Sequence, residues 1–249
     1  MVFRRCDLSD LASLKVLAID LGKELDHIDI LVNNAGLIST ELKKTKQGLE
    51  MTIGSNFVGP MYLTHLLMPL LKKAKEARIM NVSSLGYKLA MKLKQDDEGF
   101  LLRSLKPEEY SAFFVYTKSK LGNVYFTTKL AELLEKSGQS NIKTVIVHLG
   151  TVRSAISRDF STLLKLFYTL TMPIWYITLK SPAEGSQTSL ACSCQPFDKL
   201  YNGAYYAECR PEPVADVGRD VGRRDRVWRM AVDVVGELTG DVMYSDIDN

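Results

Sequence analysis

At 249 residues the chain is long enough for one α/β domain with a substantial buried core. Hydrophobic residues make up 46% and charged residues 24%, the profile of a soluble globular protein. A net charge of +3 is too small to argue for nucleic acid or an anionic surface as the partner.

Val2–Arg5 reads as a short strand. Asp10–Leu25 has helical periodicity, with Leu11, Leu14, Leu17, Ala18 and Leu21 on one face. Ile28–Val32 is an apolar run broken only by Asp29, as suits a parallel strand buried on both faces. Gln47–Lys73 reads as one long helix whose basic end, Lys72-Lys73-Ala74-Lys75, complements the helix dipole. Arg78–Val82 is a strand followed by the small residues Ser83, Ser84 and Gly86. Leu89–Glu109 is charged and aperiodic, a long functional loop or insertion. Tyr110–Lys136 is a helix, Lys143–Val147 a strand, and Pro182–Ala191 a helix opened by proline. Gly203–Tyr206 is a late strand. Arg223–Leu238 is a final helix, with Arg223, Arg224, Arg226 and Arg229 on a solvated face. Strands alternate with helices throughout, which predicts one domain over residues 1–249, a doubly wound parallel sheet with helices on both faces.

Phe160–Leu179 is long and apolar but interrupted by Lys165 and Pro173. It reads as a buried or amphipathic helix, with a membrane span as the alternative. Cys6, Cys192, Cys194 and Cys209 form no CxxC pair, and no histidine stands at ligand spacing from them, so no zinc site is expected. Reduced thiols and the lack of a signal peptide point to a reducing compartment.

Ligands of open parallel sheets sit beyond the carboxyl ends of the strands. Four such points carry small or polar residues: Cys6-Asp7-Leu8, Asn33–Gly36, Ser83-Ser84 and His148–Val152. Tyr116 and Lys120 stand at i and i+4, on one face of a helix. An ammonium beside a phenol lowers the phenol's pKa and suits it to proton transfer near neutral pH. The Tyr-x-x-x-Lys spacing recurs at Tyr125/Lys129 and Tyr176/Lys180. Tyr125 is half a turn out of phase with Tyr116, and Tyr176 lies away from any strand end, so Tyr116 is the candidate.

Asp7, Asn33-Asn34-Ala35-Gly36, Asn56, Ser84, Tyr116-x-x-Ser119-Lys120 and Gly150-x-Val152 together resemble the short-chain dehydrogenase/reductases. ILVNNAG, RIMNVSSLG, YTKSKLGNVYFT, LKSPAEGSQTSL and NGAYYAEC are similar to the retinol dehydrogenase branch, and the resemblance spans residues 1–240. It implies a Rossmann-like fold. It also implies hydride transfer between a nicotinamide cofactor, NADP rather than NAD, and a lipophilic alcohol or aldehyde such as retinol or retinal. Tyr116 would be the general acid or base, Lys120 would lower its pKa and bond the nicotinamide ribose, and Ser84, ahead of Ser83, would hold the substrate oxygen. Asn56 would steady a proton-relaying water. Asp7 and Leu8 would flank the adenine; Asn33, Ala35 and Gly36 would line the cofactor; Gly150, Val152 and Ser154 would contact its nicotinamide end. The aromatic stretch Phe160–Tyr176 would be a lid over an apolar substrate, or else plain core. Through residues 160–179 the protein would touch a membrane surface, on the cytoplasmic side of the endoplasmic reticulum. Two departures are mild: Leu149 stands where the family has proline, and Ser154 where it has threonine.

One departure is large. No G-x-x-x-G-x-G pattern occurs in the chain, so the backbone cradle for the pyrophosphate is missing. Met1 falls at what resembles the family's third strand, with the preceding strand–helix–strand–helix, on the order of 45 residues, absent. The expectations are an incomplete N-terminus, a bare edge along Ile28–Val32 and no saturable NADPH binding. The alternative to the enzyme is a catalytically weak relative that acts as a binding partner of a full-length enzyme. A nucleic-acid binder is excluded by the weak charge and the lack of a basic stripe.

Overall fold

The computed structural model describes residues 1–92, 99–152 and 179–247. Among them the elements are α1 (Leu11–Glu24), β1 (Ile30–Asn33), α2 (Met51–Ile53), a π-helical segment (Gly54–Val58), α3 (Gly59–Lys73) and β2 (Ala77–Ser83). After these come α4 (Ala112–Lys136), β3 (Ile142–His148), α5 (Pro182–Cys194), β4 (Tyr205–Ala207), β5 (Arg210–Glu212), α6 (Asp216–Arg219) and α7 (Val221–Thr239). The strands form one sheet in the order β1-β2-β3-β4-β5, parallel from β1 to β4 and antiparallel at β5.

β2 and β3 are buried on both faces, which is why they read as continuous apolar runs. On one face Ile79, Ile142 and Ile146 join the main core with Leu63, Leu67, Val124 and Phe126 of α3 and α4. On the other, Met80, Val145 and Val147 pack with Cys192 of α5 and with Leu200 and Tyr206. α7 covers α4, placing Trp228 over Phe126 with ring centroids 6.1 Å apart. The C-terminal segment ties α1 to α3: Asp241 pairs with Lys15 and accepts from Tyr62, and Tyr244 donates to the Met61 carbonyl at 2.7 Å.

Several expectations need correction. Val2–Arg5 is not a strand, because no described strand lies beside it to take its backbone hydrogen bonds. The long helix begins at Met51 rather than Gln47: Gly48 takes φ +82° in a turn, and Glu50 caps Ile53. Its run is also interrupted by the π-helical turn at Gly54–Val58. Residues 99–105 form a loop, but one anchored in the core, since Phe100 is buried with its ring 6.1 Å from Phe57 and 6.3 Å from Tyr125. Arg224 is turned inward, paired with Glu132 and Asp225. β5 and α6 have no periodic signal and were not expected.

The edge of β1 is bare among the described residues, and this strand is not buried on both faces as the apolar run Ile28–Val32 suggests. It pairs only with β2, and Ile30 and Val32 are 41% and 42% exposed.

α4 approaches the π-helical segment at Gly122, where a methyl group would sit 2.7 Å from Cγ of the buried Phe57 ring. Gly122→Ala is therefore expected to destabilise the fold by about 1–3 kcal/mol despite alanine's better helix propensity. A urea midpoint equal to or above wild type would contradict this packing.

Candidate active site

At the carboxyl end of β1–β3 lies a cavity of about 970 Å³. Val32, Ala35, Gly36 and Ile38 form one wall, Val82 to Leu85 the floor, and Tyr116 and Lys120 project from α4. His148 to Val152 and the start of α5 complete it.

The sequence predicts part of this set. Tyr116 and Lys120 share a helix face and both line the cavity, whereas Tyr125 points into the core and donates to the Val217 carbonyl at 2.7 Å. Lys120 is 4% exposed, and its Nζ lies 5.6 Å from the Tyr116 ring centroid. Burial pushes the Lys120 ammonium down to about 8. Burial also pushes the Tyr116 phenol up, and a hydrogen bond with Ser84 pulls it partway back. The main influences on Tyr116 are thus burial and Ser84, not the lysine charge, and the phenol is protonated at neutral pH.

The two serines differ in their contacts. Ser83 Oγ donates to the Lys120 carbonyl at 2.8 Å and fixes α4 to the strand end. Ser84 Oγ accepts from the Gly86 N–H at 3.2 Å and faces Tyr116.

Gly36 must be small. A methyl there would sit 3.2 Å from Asn56 Oδ1 and 3.5 Å from Lys120 Nζ. Asn56 lies in the π-helical turn, and its amide both accepts from Leu37 N–H and donates to the Leu37 carbonyl, each at 2.8 Å. It also donates to Ser119 Oγ at 3.1 Å, which in turn donates to the Tyr116 carbonyl at 2.7 Å. The Asn56 side chain therefore locks the Gly36–Leu37 turn against α4 and does not itself line the cavity.

Gly150 and Val152 line the cavity, Gly150 beneath the Lys180 side chain and Val152 against Gly185. Ser154 and the stretch 160–178 lie outside the described residues. Three expected cofactor residues are elsewhere. The Asn33 amide donates to Asn81 Oδ1 at 2.7 Å and Thr64 Oγ1 at 3.0 Å, within a buried polar network. The Asp7 carboxylate accepts from Ser9 N–H and Oγ, and the Leu8 carbonyl lies against Gly59; neither lines the cavity.

His148, which stands at the strand-end point His148–Val152 and was given no role of its own, is a wall residue of the cavity. Its ring stacks on Tyr205 at 6.3 Å. Burial holds it down to about 4, with Glu208 acting upward and Lys180 and Lys88 downward, so it is neutral at pH 7.

The described residues fit the nicotinamide–ribose half of a dinucleotide: Gly36 leaves room beside the buried Lys120 ammonium, and Gly150 allows close approach. A glycine-rich pyrophosphate cradle is not among them. Nor does any group of three or more His, Cys, Asp or Glu among the described residues suit a metal.

Residues 1–93 match the family model for short chain dehydrogenases. Mouse "Retinol dehydrogenase 11" is 36% identical over 234 residues, which cover 94% of this chain and 69% of that protein. The chain belongs to the short-chain dehydrogenase/reductases. Within this family of oxidoreductases it falls in the retinol dehydrogenase branch, since human "Retinol dehydrogenase 12" is also 35% identical, over 95% of this chain and 70% of that protein. Solved structures agree on the fold. The crystal structure of an uncharacterised protein from Mycobacterium paratuberculosis superposes with a TM-score of 0.67 at 25% identity, covering 93% of this chain and 74% of that one. NADPH-bound carbonyl reductase from chicken fatty liver gives 0.55 at 20% identity, over 82% and 73%. No helix among the described residues is long and apolar enough to cross a membrane.

Proposed function

We propose that this cavity interconverts a lipophilic aldehyde and its alcohol, with retinal and retinol the leading pair. The supporting observation is the convergence of Ser84, Tyr116 and Lys120 on one cavity floor. A bound nicotinamide would supply or accept the hydride. Ser84 and Tyr116 hold the substrate oxygen, and Tyr116, kept protonated by burial, delivers the proton in the reducing direction. Lys120 would hold the nicotinamide ribose. Val32, Leu37, Ile38, Val82, Leu85 and Leu149 give the walls an apolar character that suits a hydrocarbon chain. The retinol dehydrogenase names of the relatives support the same substrate class. NADP is the preferred form of the cofactor. Contact with the endoplasmic reticulum membrane through residues 160–179, on its cytoplasmic side, would deliver a substrate of this kind.

Because no glycine-rich cradle is found among the described residues, retinal reduction by these 249 residues alone should be slow and rise in proportion to NADPH concentration without a micromolar plateau. A micromolar plateau would overturn the account of the missing cradle. A rate no higher than that without protein would sink the enzyme proposal and favour the second one, a binding partner of a full-length relative, for which the exposed β1 edge speaks.

A further inference from the structure

The carbonyl of Val82, near the end of β2, accepts two hydrogen bonds from α4. One comes from Lys120 Nζ at 3.0 Å. The other comes from Nδ2 of Asn123, one helical turn on, at 3.1 Å. Val82 and Asn123 are both buried, and Asn123 Oδ1 has no protein partner among the described residues. A leucine of nearly the same shape would leave no polar atom unmatched. The amide's contribution is therefore its bond to Val82.

We infer that Asn123 is a positioning residue for Lys120: it keeps the Val82 carbonyl bonded when the lysine turns towards the cavity. A ribose hydroxyl would compete with the strand carbonyl for the Lys120 ammonium, and a carbonyl left without a donor in this environment would hold the lysine back. With Asn123 in place, the strand end stays satisfied in both positions. The inference rests on the nicotinamide proposal for what Lys120 reaches towards. The shared carbonyl itself does not depend on it.

Among the described residues, the groups near Lys120 Nζ are the Tyr116 ring on its own helix, the Val82 carbonyl of β2 and the Gly36 backbone, with the Asn56 amide on the same side of that glycine. No carboxylate or second cation is among these groups.

The test compares unfolding free energies of the purified chain and its Lys120→Met variant from pH 7 to 11. The pH at which their difference changes reports the lysine's titration in the folded protein. The same comparison is then made in Asn123→Leu, and in Asn123→Ala in case leucine disturbs the packing. If Asn123 shares the carbonyl, its loss leaves Lys120 as sole donor, and the midpoint moves up by about half a pH unit or more. The added apolar surface of leucine alone would move it down, so an upward shift is specific to sharing. An unmoved or lowered midpoint in both backgrounds overturns the inference. Retinal reduction by wild type, measured alongside, bears on the proposed function instead. If that fails, the midpoints still decide the role of Asn123.

Discussion

Lys120→Met will be more stable than wild type at pH 7, by about 2 kcal/mol, and the advantage will vanish as the pH approaches that of the free lysine. The ammonium is buried, and its folded-state pKa is held at about 8 against 10.5. That depression corresponds to about 3 kcal/mol, from which the lost bond to the Val82 carbonyl subtracts roughly 1 kcal/mol. The sign follows from proton counting. Below pH 8 the lysine is charged in both states and the full burial penalty acts. Between pH 8 and 10.5 the unfolded chain binds more protons than the folded one, so wild-type stability rises with pH while the methionine variant gains nothing from this group. Chemical unfolding at pH 7 and pH 10.5 checks both points. A variant less stable at pH 7, or an advantage independent of pH, would show that the lysine is held there by interactions stronger than its burial. A lysine kept at such a cost is what the proposed role of Lys120 at the nicotinamide ribose requires.

Tyr116→Phe will lower retinal reduction by about 10²–10⁴-fold while changing stability by less than about 1 kcal/mol. The hydroxyl bonds with Ser84, itself on the cavity floor, so its removal disturbs little of the core. Steady-state rates at fixed NADPH together with a urea titration make the comparison. Loss of rate accompanied by comparable loss of fold would assign Tyr116 to structure. Full retention of rate would remove it from the chemistry.

Much of this architecture was legible because its signals are local. The apolar runs of β2 and β3 announce a sheet buried on both faces, and the i, i+4 spacing of Tyr116 and Lys120 places both on the cavity side. The phase argument that set Tyr125 aside holds, since that side chain is committed to the core. What was not legible depends on contacts distant in sequence. Asn33 looked like a cofactor residue from its place in Asn33–Gly36, yet alternation along a strand sends its amide towards Asn81 and Thr64, while Ala35 and Gly36 line the cavity. Asp7 and Leu8 follow a segment that needs a neighbouring strand to be fixed, and none of the described strands supplies one. Arg224 looked like part of a solvated face because periodicity alone does not reveal Glu132 across the α4–α7 contact.

The most direct measurement of the central claim is isotopic. The chain is incubated with retinal and NADPH carrying deuterium at the transferable position, and the retinol formed is weighed by mass spectrometry. One deuterium at the carbinol carbon, appearing with wild type and at least about a hundredfold slower with Tyr116→Phe, is the predicted result. Unlabelled product, no product, or equal labelling by both proteins would contradict the assignment of this cavity as an oxidoreductase site built around Tyr116.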